Sequence, residues 1–258
     1  MNTIKELYHY RQMIVNLVRK ELRGRYKGSV LGFLWTFMNP LLQLIVYTIV
    51  FSSIMKVGID KFYLFLFVAL IPWMFFSASV TGGAASVISQ GNLIKKVYFP
   101  RQVLPVSYVT TAFVNMALTF VIVFLALLTG GIGINIKVLA YLPMIMAVEY
   151  LLALGIAMLA SALTVFFRDL EYILGIITMA WMYLTPVMYD VDMIPEQYTT
   201  LFRLNPMTPV IIAYRDILYY KQAPQVHTLM QAAVLGILVL IVGCAAFSLL
   251  QKYFAEEL

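Results

Sequence analysis

The chain has 258 residues, of which 62% are hydrophobic and only 12% charged, with a formal net charge of +6. A soluble domain carries about one quarter charged residues, so this composition excludes an ordinary soluble enzyme and places the chain in a bilayer. The basic excess then reads as topology and attraction to anionic lipid rather than as a groove for nucleic acid.

Residues 5–27 come first. Advanced about 100° per residue, they form an amphipathic helix with Leu7, Tyr10, Ile14, Leu17, Val18 and Leu22 on one face. Lys5, Arg19, Lys20, Arg23 and Lys27 fall opposite, while Arg11 and Glu21 interrupt the apolar arc. Such a helix is expected to lie along a membrane surface with its apolar side in the lipid boundary and Arg19, Arg23 and Lys27 near phosphate. It serves either as a pure anchor or also as a docking surface.

Crossing about 30 Å of hydrocarbon takes roughly 20 helical residues. Apolar runs of that order occur at 30–55, 62–88, 106–128, 138–167, 170–189 and 229–250. The expected fold is therefore all-α and integral to the membrane, with six transmembrane helices in one domain over 1–258, no cleavable leader and no second domain. Asn39–Pro40 and Pro72 interrupt the backbone ladder of the first two spans. Cys244, the only cysteine, lies in the last span and rules out an intrachain disulfide.

Twelve Lys and Arg residues fall before the first span, on the connector at 91–105, on the tight turn at Arg168 and near the C-terminus, against six on the opposite loops. By the positive-inside rule both termini are expected in the cytoplasm. The connector "GNLIKKVYFPRQVLP" at 91–105 then faces the cytoplasm and mixes cations with large apolar residues. That mixture suits a short helix gripping the membrane edge and a protein partner at once. The turn "FFRDLEY" at 166–172 is either a local ion-pair cluster of Arg168, Asp169 and Glu171 or a second docking point.

On the opposite side, 190–222 is neither a clean span nor a polar loop. Met207 to Tyr220 repeats Val210, Ile211, Tyr214, Ile217 and Leu218 at helical spacing, too short to cross. It either lies flat on the outer surface or dips back as a re-entrant gate.

The chemistry absent is equally informative. No G-x-x-x-x-G-K-[ST] run occurs, so the chain has no P-loop for nucleotide. Glu149 alone is an acid clearly within a span, and an intramembrane acid is a functional candidate that also reads as a packed structural residue. Asp190 and Asp192 form a D-x-D pair whose position favours turn residues over a metal site, and no metal site is expected. Trp73 and Trp181 lie about 16–20 Å from the start of their spans at 1.5 Å per residue, deep enough for helix packing or, with Tyr183, for stacking against sugars in a conduit.

"RGRYKGSVLGFLWTFMNPLLQL" at 23–44, "NLIKKVYFPRQVLP" at 92–105, "FFRDLEY" at 166–172, "LTPVMYDVDMIP" from 184 and "LNPMTPVIIAYRDIL" to 218 together resemble the permease subunit of polysaccharide-exporting ATP-binding-cassette transporters of the ABC-2 type, which move O-antigen and teichoic-acid polymers. The resemblance covers nearly the whole chain. It implies half of a homodimeric pore in a bacterial inner membrane, served by two copies of a separate cytoplasmic ATPase that binds the ATP and Mg. This chain itself then holds no cofactor and is not an enzyme.

The resemblance further implies a polyprenyl-linked polysaccharide as substrate. It makes 91–100 a coupling helix, with Asn92, Leu93, Val97, Tyr98, Phe99 and Pro100 in the ATPase cleft and Lys95 and Lys96 as electrostatic contacts. Arg168 and Asp169 become the smaller contact. The segments 194–203 and 207–220 become gate helices with Tyr214, Arg215 and Asp216 among their residues. Two rivals stand beside this expectation: an exporter of the same architecture for drugs or simple lipids, and a polyprenyl-dependent membrane transferase using inward-facing acids.

Overall fold

The computed structural model describes residues 3–24 and 28–257, all helical or irregular, with no strand among them. Lys27 lies outside the described residues. In place of one helix over 5–27 there are two, α1 (Thr3–His9) and α2 (Arg11–Gly24), broken at Tyr10.

A short 3-10 turn leads into α3 (Trp35–Thr48), which continues through π turns to Ile54 and carries Pro40 inside it. Next come α4 (Phe62–Ala85), the short α5 (Gly91–Lys96), α6 (Val103–Thr129), the single turn α7 (Ile136–Leu139) and α8 (Leu142–Thr164). The chain ends with α9 (Leu170–Tyr183), α10 (Thr199–Leu204), α11 (Met207–Leu218), α12 (Val226–Leu250) and α13 (Phe254–Glu257).

Among the described residues, five helical stretches are long and apolar enough to cross a membrane: Gly32–Ile54, Phe62–Ala85, Val103–Thr129, Ile136–Thr164 and Val226–Tyr253. The expected fifth span at 170–189 is a helix of 14 residues only. At 1.5 Å per residue that is about 21 Å, short of the hydrocarbon thickness. Pro186 explains the stop: it lacks an N–H and disfavours helical backbone at Thr185 before it.

α4 is the axis of the bundle. It is apolar all round, so no face of it suits water, and α3, α6, α8, α9 and α11 pack on it. Leu64 through Ile71 are buried without interruption. α8 and α12 cross closely because Gly155 and Gly243 meet at the crossing; a Cβ on Gly155 would fall 2.5 Å from the backbone nitrogen of Leu240. Small residues at such a point let two membrane helices approach to backbone contact.

A second apolar cluster closes one end of the bundle. Val87, Phe99, Val103, Leu104, Val165, Phe247 and Phe254 form it, and Leu7, Tyr10, Ile14 and Leu17 pack on it. Both termini therefore sit at one end, termed here the terminal face. The apolar arc of α1 and α2 is correspondingly turned onto the protein's own end, and α2 lies against α6. This corrects the expectation that the arc is immersed in lipid. The cations Arg19 and Arg23 point away and are exposed.

Candidate functional site

Two arrangements stand out, one at each end of the bundle. At the end opposite the termini, the chain after α9 does not continue as a helix. It passes through 184–189, α10 and α11, and 205–220 returns alongside 184–190, Asn205 beside Leu184 and Tyr220 beside Asp190. Within a membrane the carbonyls of such a segment need donors, because lipid offers none.

Two side chains supply them. Asn205 donates to Leu184 O and to Thr185 Oγ1, both at 2.9 Å, and accepts from Trp181 Nε1 at 2.9 Å. Arg215 donates to Val187 O at 2.7 Å and Tyr189 O at 2.9 Å, and its guanidinium lies 3.5 Å from the centre of the Phe65 ring. The broken backbone is thus completed by side chains from elsewhere in the re-entrant segment.

α11 dips into the bundle rather than lying flat. Every residue of it except Ile212 is buried, and it packs on α4, α8 and α12. Tyr214 donates from its hydroxyl to Glu149 Oε2 at 2.7 Å, joining α11 to α8, and Glu149 is 0% exposed. Asp216 accepts from Gln222 at 2.8 Å, and burial raises its pKa above the usual carboxylate range.

Asp190 accepts from the Tyr220 hydroxyl at 2.5 Å; burial and this bond hold the Tyr220 proton well above its ordinary pKa. Asp190 also caps the turn through Asp192 N. Of the D-x-D pair, the Asp190 carboxylate is thereby engaged within the segment, and no group of three or more metal-ligating side chains occurs among the described residues.

The Glu149–Tyr214 contact predicts a graded series. Glu149→Gln keeps an acceptor for the Tyr214 hydroxyl and should melt within a few degrees of wild type in detergent. Glu149→Leu leaves that hydroxyl buried and unpartnered, a cost of about 1–2 kcal/mol. Equal damage from both would mean that the carboxylate charge, not the acceptor, holds α11.

The deep aromatics divide. Trp73 is 3% exposed and packs 5.5 Å from Phe76 inside the bundle. The ring is enclosed within this chain's own bundle, contrary to the expectation that it faces a conduit. Trp181 meets Phe76 edge to face at 5.1 Å and is tied to Asn205, so its role is to anchor the re-entrant turn. Tyr183 is exposed at the end of α9, beside the exposed Ile173, Ile176 and Ile177 of the same helix. No feature of the sequence marked Asn205 as the hub of this turn except the Asn-Pro dipeptide it begins.

At the terminal face, the expected helix over 91–100 spans only Gly91–Lys96 and ends as Val97 turns extended. Asn92, Lys95, Lys96 and Val97 are exposed, Leu93 and Pro100 are half-buried, and Tyr98 is 96% exposed. Phe99 departs from expectation: it is 6% exposed and packed among the residues of the terminal cluster. The extended backbone after Lys96 alternates side chains, turning Tyr98 outward and Phe99 inward. Phe99 therefore faces the terminal cluster rather than the surface.

Arg168 and Asp169 are exposed on the tight turn between α8 and α9, with Phe167 and Tyr172 beside them, and form no ion pair among the described residues. A cleft of about 1230 Å³ runs between α1, the 94–102 strip and the C-terminal end of α12, lined by Lys5, Lys95, Lys96, Arg101 and Lys252 against Glu6. Arg101 bonds to Gln251 O and lies over the Phe254 ring, fixing the strip to the C-terminal segment.

The family described as ABC-2 type transporter matches residues 12–219. A protein of Myxococcus xanthus named O-antigen export system permease protein RfbA is 35% identical over 99% of this chain and 98% of its own length. A Klebsiella pneumoniae protein of the same name is 34% identical over 95% of each chain. The polysialic acid transport protein KpsM of Escherichia coli is 22% identical over 90% of each.

Proposed function

This chain belongs to the ABC-2 type transporter family, and on that basis we propose that it is the channel-forming permease of an ATP-driven exporter that moves a lipid-linked polysaccharide across the bacterial inner membrane. The relatives named for O-antigen and polysialic acid transport support the cargo class. The observation that carries the mechanism is the exposed strip Asn92 to Tyr98, fixed from beneath by buried Phe99.

A strip of this kind is a rigid handle. An ATPase gripping Tyr98, Val97 and the Lys95–Lys96 pair would push on Phe99, and through the terminal cluster on α6, α8 and α12. Arg168 and Asp169 would give the same partner its second hold, with the cations of α2 beside it. ATP and Mg would be bound by that partner, two copies of which would serve two copies of this chain. In this reading both termini and the terminal face are cytoplasmic.

The apolar exposed faces of α3 and α9 are where two copies would meet around the conduit, with Tyr183 toward it. At the far end the re-entrant segment would act as the gate. Its side-chain ties, through Arg215, Asn205 and Tyr214, can break and re-form without leaving the backbone permanently unpaired. A partner that favours one arrangement when it binds ATP shifts the population of the whole permease.

Cells lacking this chain are expected to lose surface polysaccharide and to accumulate the lipid-linked polymer inside, both reversed by the wild-type chain. Unchanged surface polymer, with the chain absent, would overturn the reading.

A further inference from the structure

Between α3, α4 and α6 the apolar bundle opens into a groove of about 440 Å³ whose polar lining is Ser29, Thr36, Asn39, Asn115 and Thr119. That volume lies within the ordinary range for a small-molecule site, about 300–1,000 Å³. Trp35 stands at its mouth, where its indole donates to Ser29 Oγ at 3.0 Å. From there the groove runs inward. Asn115 lies twelve residues into α6, about 18 Å along the helix axis from the terminal face.

The amide of Asn115 is the telling group. Its Nδ2 and Oδ1 are both buried and have no hydrogen-bond partner among the described residues. At this depth acyl chains offer neither donor nor acceptor, and an unmet amide costs free energy. Thr119 does not answer it, since its hydroxyl donates to the Asn115 backbone carbonyl at 2.8 Å. Asn115 lines the groove from α6, and Asn39 lines it from α3.

The lining selects the chemistry of an occupant. No charged side chain is among the described residues that form it, so a phosphate would enter without a counter-charge, at high cost. Amides and hydroxyls pair with uncharged hydroxyls, and the Trp35 ring can lie against the apolar face of a pyranose.

We propose that this groove is an intramembrane binding site for an uncharged, hydroxyl-bearing sugar unit, held by Asn39 and Asn115. The proposal deepens the polysaccharide reading and rests on it. Two sources carry that chemistry: the glycan of the cargo, and a glycolipid of the surrounding bilayer.

The test uses the full chain in phospholipid nanodiscs with an alkyl glucoside bearing a diazirine next to the sugar. Photolabelling is expected on the peptides containing Asn39 and Asn115. Asn115→Leu should lower it about fivefold, the weight of one hydrogen bond, and Asn39→Leu similarly. Leucine suits α6, and unchanged elution and melting of the variant confirm its fold; Thr119→Val serves as a second variant.

A probe with the same tail and a phosphocholine head should label at background. Competition by a free oligosaccharide without a tail assigns the site to glycan, and competition by the alkyl glucoside alone assigns it to glycolipid. Labelling that ignores Asn115→Leu, or that the phosphocholine probe matches, overturns the site and leaves a lipid-filled crevice. Either result leaves the export assay above untouched, so loss of this site is distinguishable from loss of the permease reading.

Discussion

Arg215→Ala is expected to lower the melting temperature of the detergent-solubilised protein by roughly 10 °C, about 3–4 kcal/mol at the usual slope for a chain of this size. The substitution strips the donors from Val187 O and Tyr189 O and uncovers the face of Phe65. Each orphaned carbonyl costs about 1–3 kcal/mol where water is scarce, and the lost cation–π contact adds about 1–2 kcal/mol. Arg215→Lys should fall between, because one compact ammonium cannot address two carbonyls and a ring together. In cells both variants should export less polymer in the same order. Melting of Arg215→Ala within two degrees or so of wild type would mean that water already reaches these carbonyls and that the re-entrant segment stands open.

The reach of the sequence is clearest at this same segment. Length and apolarity were enough to mark α4, α6, α8 and α12, because a helix that must cross lipid satisfies its own backbone and needs no partner to be legible. The fifth apolar run is different. Its composition continues to residue 189, but Pro186 ends the helix and the carbonyls beyond are met by Arg215 and Asn205, some 20 to 30 residues later. Periodicity is local and could not reveal that pairing.

The 3.6-residue repeat of 207–220 left a surface helix and a re-entrant one equally open. What decides is Tyr214 on Glu149, a contact across 65 residues that is invisible until α8 and α11 are side by side. Arg19 and Arg23 are exposed while the apolar arc of the N-terminal helices packs on protein. Composition cannot tell lipid from a neighbouring helix, since both are apolar.

The same limit applies to Tyr98 and Phe99, adjacent aromatics that a sequence reading treats alike and the structure separates. Phe99→Asp places a carboxylate among Val87, Val103, Phe247 and Phe254, and losing the aromatic volume alone costs about 3–5 kcal/mol. It is expected to collapse the terminal face: little folded protein recovered in detergent, and no ATPase activity with it. Tyr98→Asp alters a side chain that is 96% exposed, so stability should change by no more than about 0.5 kcal/mol.

If Tyr98 anchors the ATPase, its loss weakens that complex by about 2 kcal/mol, roughly thirtyfold. Tagged chain carrying Tyr98→Asp should then purify in normal amount, with an unshifted melting curve, but without the ATP-hydrolysing protein that accompanies wild type. Full recovery of the ATPase with Tyr98→Asp would remove the strip from the interface and move the docking surface to the Arg168 turn or the cations of α2. Loss of both folding and partner in Phe99→Asp says nothing about docking by itself. The pair of variants is what separates a handle from the scaffold that holds it.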